Sequence, residues 1–243
     1  MAITLINGLG SKIKNIGHKG LPYVMKGARR FCSKKDEVID LYVLDLKNKL
    51  VPLDEHAKKT LEDSLGSDFK IKLLSPQDQS YKNQYMDFVI NKREFTNEFA
   101  ENYLHNSICF LGILHERIVA MACMASTEYP LDGFELDIIL GADQVYRHGS
   151  FVDPDYRRKG IMSLLWDYEM SYAASKGYTY MVAAIKQWNK ASYLPTLKFG
   201  FVKYATLLFK EQYFAQQYQV IKLHNVDNVR VSIRRLSGNI IKI

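Results

Sequence analysis

The run Val152-Asp153-Pro154-Asp155-Tyr156-Arg157-Arg158-Lys159-Gly160-Ile161-Met162 gathers residue types suited to holding an anion. An apolar strand-like run, His148 to Val152, meets an Asp-Pro-Asp turn. Three cations and a glycine follow, and an amphipathic helix begins. A helix start presents unpaired backbone N–H groups and the positive end of the helix dipole, so negative charge is attracted there. Arg157, Arg158 and Lys159 add fixed positive charge. Taken alone, such a turn is equally a solvated surface loop, so the elements around it decide how it is read.

Those elements are legible from periodicity. Ile161, Leu164, Leu165, Tyr168 and Tyr172 repeat at helical spacing, and Gly177 supplies a stop. Upstream, Phe69 to Leu74 reads as a strand, and Gln77 to Asn91 and Thr96 to His105 as helices. Ile108 to Leu114 and Arg117 to Ala125 form a hairpin through His115-Glu116. Tyr129 to Gly133 reads as a loop and Tyr146 to Val152 as the next strand. Downstream come a strand from Tyr180 to Ile185, a helix from Asn189 to Phe199 and a strand from Phe201 to Phe209. Two or three short β-type runs lie between Tyr218 and Ile243. Pro195 should kink or delay its helix, because interior proline costs ~3 kcal/mol. Before Phe69, Val38 to Leu46 reads as a strand. Pro52 and Asp54 read as a turn and cap before a helix ending near Gly66.

Two signatures in this order resemble the GNAT acyltransferase superfamily. Arg157-Arg158-Lys159-Gly160-Ile161-Met162 is similar to its R/Q-x-x-G-x-G/A motif, preceded by Val152-Asp153-Pro154. Asn189-Lys190-Ala191-Ser192 with Lys198-Phe199-Gly200-Phe201 resembles its second signature, an Asn followed eleven positions later by Gly-Phe. The resemblance covers roughly Phe69 to Phe209. It implies an α/β (α+β) fold: a mixed, largely antiparallel sheet flanked by helices. The division it suggests is an N-terminal extension, residues 1–68, and a GNAT-like domain, residues 69–243.

The resemblance also implies an acetyl-CoA or other acyl-CoA site. The pyrophosphate would rest on backbone amides from about Arg158 to Met162. The strand ending at Val152 would part from its neighbour and pair with the pantetheine arm. Asn189 and Ser192 belong to the same implied cofactor site. An N–H near Phe151 or Val152 would stabilise the oxyanion. The implied reaction is direct attack of an amine on the thioester in a ternary complex, with no metal. Met162 departs from the pattern's small residue, and Thr196 stands where many relatives carry a tyrosine that protonates the leaving thiolate. Tyr193, one turn earlier, is the candidate substitute. For the base, the family's habit points beside the strand before the glycine turn. His148 and Tyr146 are two apart there and share a face, with Asp143, Asp137 and Glu135 just upstream. A histidine titrates near working pH and suits amine deprotonation.

Charge and composition limit the partners. The 243 residues carry a net charge of +7. Residues 1–35 hold eight Lys or Arg and no Asp or Glu, which leaves 25 cations against 26 anions in the rest. The basicity therefore belongs to the N-terminal segment, and no nucleic-acid partner is expected. Leu21, Val24, Met25, Ala28 and Cys32 form one face of a short basic helix. Residues 12–35 could dock on the domain, meet an anionic membrane surface, or recruit an acyl carrier protein. Tyr213, Phe214 and Tyr218 form an aromatic patch that reads as packing or as an acceptor-pocket wall. Three cysteines with no Cys-x-x-Cys spacing suggest a reducing, cytoplasmic setting, with Cys109 and Cys123 as buried apolar residues. Neither a membrane span nor a secretory signal is expected. Two alternatives stand beside amine acetylation: a longer-chain N-acyltransferase fed by a carrier protein, and a degenerate module that binds coenzyme A without turnover.

Overall fold

The computed structural model describes residues 37–47, 55–74, 78–93, 96–131, 136–212, 215–223, 229, 231–235 and 240–242. The basic helix at Leu21 to Cys32, the Pro52-Asp54 cap, Glu135 and the Tyr213-Phe214 pair lie outside them. The elements in chain order begin with β1 (Glu37–Asp45), α1 (Glu55–Leu65), β2 (Lys70–Leu73), α2 (Gln79–Arg93) and α3 (Asn97–His105). β3 (Ile108–Leu114), β4 (Arg117–Ala125), β5 (Glu128–Pro130), β6 (Leu136–Ile139) and β7 (Gln144–Val152) follow. A 3-10 turn (Pro154–Tyr156) leads to α4 (Ile161–Ser175), β8 (Tyr180–Lys186) and α5 (Lys190–Lys198). The chain continues with β9 (Val202–Gln212), β10 (Ala215–Leu223), β11 (Ser232–Arg235) and β12 (Ile240–Lys242).

The chain divides into two compact units, Met1–Val38 with Leu208–Gln219, and Ile39–Leu207 with Val220–Ile243. The first is described only through the start of β1 and the adjoining parts of β9 and β10. The second holds a mixed sheet, with strands in the order β9-β1-β8-β7-β4-β3-β2, and a four-stranded sheet in the order β12-β11-β6-β5. The fold is mixed α/β, largely antiparallel, as the resemblance implies. Residues 39–45, which the sequence reading assigned to an extension, are hydrogen-bonded inside the sheet: β1 runs antiparallel to β8 from Ile39↔Lys186 to Asp45↔Tyr180.

Local chemistry accounts for several joints. His115 and Glu116 both take positive φ (49° and 60°), as the two central residues of a tight hairpin turn require. Gly177 (φ 85°) ends α4: its N–H donates to the Ala174 carbonyl, and the Tyr178 N–H reaches back to Ala173. Pro195 neither delays nor ends α5, which begins at Lys190 under the cap of Asn189. The expected Tyr129 loop contains the short strand β5, whose partner β6 the periodicity did not reveal. Burial on α4 extends beyond the expected stripe to Trp166, Glu169, Met170 and Ala173, while Tyr168 is exposed. The sheet's apolar face, with Phe110, Ala120, Met124 and Val145, packs with Ile161, Leu165 and Trp166 into one core cluster.

Candidate active site

The parallel pairing of β7 with β8 runs from Gln144↔Tyr180 to Arg147↔Ala183 and ends there. On its other side β7 stays paired with β4 as far as Val152↔Ala120. The register shifts once, where Gly149 and Ser150 lie opposite the single residue Ala122. Gly149 has φ 65°, which suits a bulge of this kind. The two strands therefore part beyond Arg147, and the departing half of β7, His148 to Val152, leads straight into the basic turn.

That turn is held from below. Asp153 is buried. Its carboxylate receives the Lys92 ammonium from α2 at 2.8 Å and the Asp155 N–H at 3.2 Å. Burial opposes ionisation of Asp153, but Lys92 and the Asp155 amide outweigh it and hold the carboxyl below its ordinary range. Arg158 (φ 63°) and Gly160 (φ 76°) both adopt the left-handed conformation on either side of Lys159. Gly160 is the N-cap of α4 and offers no side-chain acceptor, and the first turn of α4 contains no acidic residue. The first-turn amides of Ile161, Met162 and Ser163 therefore have no competing side-chain cap. Arg157, Arg158 and Lys159 are exposed.

The side chains of the turn divide their roles. Arg157 folds back and donates from Nε to the Val152 carbonyl at 3.1 Å, so that carbonyl is engaged by the protein itself. Lys159 lies over the Tyr156 ring at 5.4 Å. Met162 packs against the core cluster. A Cβ on Gly160 would lie 2.3 Å from Leu61 Cδ2 on α1. Two features of the fold call for glycine here: its positive φ and the α1 side chain beside it. Asn189 and Ser192 are joined to each other, the Asn189 side chain accepting from the Ser192 N–H at 3.3 Å.

His148 and Tyr146 are brought together on the α2–α3 side of the sheet. Tyr129 of β5 stacks on the His148 ring with centroids 3.8 Å apart, and its ring lies 5.5 Å from that of Tyr146. His148 Nε2 sits 3.0 Å from Ser107 Oγ, just after α3. Phe151 meets Phe88 of α2 edge-on at 5.7 Å. Tyr193 is not brought to this group. It packs on the opposite face, in the cluster that holds Trp166, with its ring 6.0 Å from Tyr42 of β1. Burial, then the charges of Asp40 and Tyr193, push the Tyr42 phenol well above its ordinary range. Thr196 is buried, and its Oγ1 has no hydrogen-bond partner among the described residues. Asp137 is engaged by Arg234 rather than by β7.

Ser107, Tyr129 and Tyr42 were not singled out by sequence reasoning. A serine after a helix and a tyrosine in an apparent loop carry no spacing signal, and only the packing of β5 and α3 on β7 assembles them. A cavity of about 470 Å³ lies beside the group, with Ser107 on its wall. Among the described residues no group of three or more His, Cys, Asp or Glu could hold a metal ion. No described helix is long and apolar enough to cross a membrane.

Comparison with known proteins adds the following. Residues 72–201 match the model of the acetyltransferase (GNAT) family. No curated protein matches the sequence. A GCN5-related N-acetyltransferase from Sphaerobacter thermophilus is 10% identical, with a TM-score of 0.51 over 84% of this chain and 57% of that one. A functionally unknown protein from Staphylococcus epidermidis is 16% identical, with a TM-score of 0.45 over 75% of this chain and 64% of that one. An aminoglycoside acetyltransferase from an uncultured soil metagenomic sample, in complex with sisomicin, is 17% identical, with a TM-score of 0.43 over 56% of this chain and 90% of that one. The chain thus spans under two thirds of the length of the staphylococcal and Sphaerobacter proteins. The Sphaerobacter likeness speaks to the fold alone.

Proposed function

The chain belongs to the GNAT acetyltransferase family, and from that premise we propose that it transfers an acetyl group from acetyl-CoA to an amine by direct attack. The observation that carries the reading is the parting of β7 from β8 after Arg147, directly before an uncapped helix start ringed by Arg158 and Lys159. A gap between parallel strands that ends at a cationic helix N-terminus suits a long ligand with a phosphate partway along it. The amides of Ile161 and Met162, with Arg158 and Lys159, would hold the pyrophosphate. Arg157 instead braces the strand end through Val152. When bound, acetyl-CoA supplies an activated thioester, so the protein's own work is positioning and proton transfer.

In that reading the acceptor's proton passes through the Ser107 hydroxyl to His148, whose Nε2 is 3.0 Å away. Stacking under Tyr129 fixes the imidazole plane. Tyr193, beside Tyr42 across the sheet, is the candidate donor to the departing thiolate, which would meet it where β7 parts from β8. Tyr146 packs beside His148, with ring centroids 5.8 Å apart. The buried Thr196 contributes packing in place of a phenol.

The test is a thermal-unfolding series with acetyl-CoA. A ligand at 100 times its Kd stabilises by ~2.7 kcal/mol. For a chain of this length that is a rise of about 5–10 °C. No rise with acetyl-CoA or coenzyme A would remove the cofactor assignment. Release of free thiol with amines then separates an enzyme from a binding module.

A further inference from the structure

The cavity beside His148 has a distinct chemistry. Its walls are the end of α3 and start of β3 on one side, and the end of β4 with β5 and β6 on the other. Ser107, Ser126 and Thr127 supply hydroxyls, and Glu128 and Asp137 supply carboxylates. No lysine or arginine is among the described residues that line it. Behind the wall, Arg234 of β11 bonds both carboxylates, at 2.8 Å each. One guanidinium between two carboxylates leaves one negative charge uncompensated. The volume, about 470 Å³, is that of a small-molecule site, with room for about fifteen water-sized groups at ~30 Å³ each.

Its position matters as much as its lining. Ala125, on the wall, pairs with Tyr146, while the cationic turn follows the opposite end of β7 beyond Val152↔Ala120. The cavity and the anion site therefore lie at opposite ends of one strand, with His148 between them. Ser107 has its hydroxyl on His148 and its place on the cavity wall.

We propose that this cavity is the acceptor site, and that it takes a small, hydrophilic amine bearing at least two positive charges. The proposal rests on the acyl-transfer reading above. Two charges are called for because the groups on the wall ask for different things. The reacting nitrogen must give up its proton, through Ser107 to His148, before it can attack. A second ammonium that stays protonated then answers the charge of Glu128 and Asp137. Hydroxyls of the ligand match Ser126 and Thr127, whereas an apolar amine would strip these groups of water and leave them unpaired.

The full chain, with coenzyme A added, is titrated calorimetrically with 2-deoxystreptamine, spermidine, tryptamine and an alanine-led pentapeptide. The two polyamines are expected to bind at least tenfold more tightly than the other two, and more weakly as salt rises. Glu128 is half-exposed, so Glu128→Gln and Glu128→Lys should fold, which circular dichroism checks. Polyamine Kd should rise about tenfold in the first and further in the second. Equal or tighter binding of tryptamine or the peptide, no binding of either polyamine, or unchanged Kd in both variants overturns the proposal. The thermal shift with acetyl-CoA, measured without amine, reports on the acyl-transfer reading separately. Its absence alongside tight polyamine binding would remove that reading and leave the cavity as a polyamine site.

Discussion

Gly160, at φ 76°, is constrained both by its own backbone and by a distant side chain. The motif marks it, and its left-handed φ would strain any side chain by ~1–2 kcal/mol. The further constraint is Leu61, 99 positions earlier, in the space a Cβ would enter. Gly160→Ala should therefore destabilise the chain by about 2 kcal/mol in denaturant unfolding. Adding Leu61→Ala should not restore that loss, because the φ strain remains and the partly buried Leu61 side chain is lost as well. Gly160→Asp should in addition abolish the thermal shift with acetyl-CoA, since a carboxylate at the helix start competes with the phosphate. Ser107 belongs at this scale too. Ser107→Ala should reduce thiol release by about 100-fold, within the range for general-base catalysis, while the acetyl-CoA shift survives. A variant with full turnover would dismiss the relay.

At the scale of elements, β1 decides how the sheet is built. Its apolar run is plain in the sequence, but its partner β8 lies some 140 residues later, and no local pattern announces that pairing. Its buried carboxylate is the joint. Asp40 is buried, accepts from Thr206 Oγ1 at 2.7 Å and from Gln187 Nε2 at 3.2 Å, and pairs with Lys203 at 2.7 Å. One carboxylate thus ties β1 to the end of β8 and to β9. Removing it leaves buried donors unanswered, so Asp40→Ala should cost about 3 kcal/mol in urea unfolding. Asp40→Asn, which keeps the shape and one acceptor, should cost less. The short strands β5 and β6 are the converse case. They are three and four residues long, below the length at which alternation can be read, yet they carry Tyr129 and Asp137 to the site.

The whole molecule carries an electrostatic load in its core. Arg147, at the last rung before β7 leaves β8, faces Glu169 of α4 at 3.9 Å and lies 3.3 Å over the Trp166 ring. Glu169 is fully buried, and its carboxylate oxygens have no hydrogen-bond partner among the described residues. Burial pushes Glu169 up to about 8 against the opposing pull of Arg147, and burial lowers Arg147 to about 10. For Glu169 the folded chain holds its proton more tightly than the unfolded chain does. Stability is therefore full below the unfolded value near 4.5 and falls as pH rises toward 8, by on the order of a few kcal/mol. Unfolding temperatures measured from pH 5 to 9 should show that decline. Glu169→Gln should flatten it while changing stability near pH 5 by only ~1 kcal/mol. A decline equally steep in the variant would assign it to other groups.

The sequence by itself determined the helices and strands around the glycine turn, the cationic make-up of that turn, and the family. Each of these rests on neighbours within a few residues: helical spacing after Ile161, the cap at Asn189, the stop at Gly177. Tertiary structure alone decided which residues meet. It slid β1 between β8 and β9, set Leu61 over Gly160, put Tyr193 across the sheet from His148, and joined Ser107 to His148 beside a carboxylate-bearing cavity. The reason is physical. Backbone hydrogen bonding and side-chain periodicity are local and leave their mark in the order of residues. Strand pairing and the burial of charge join residues far apart in the chain, and no spacing records them.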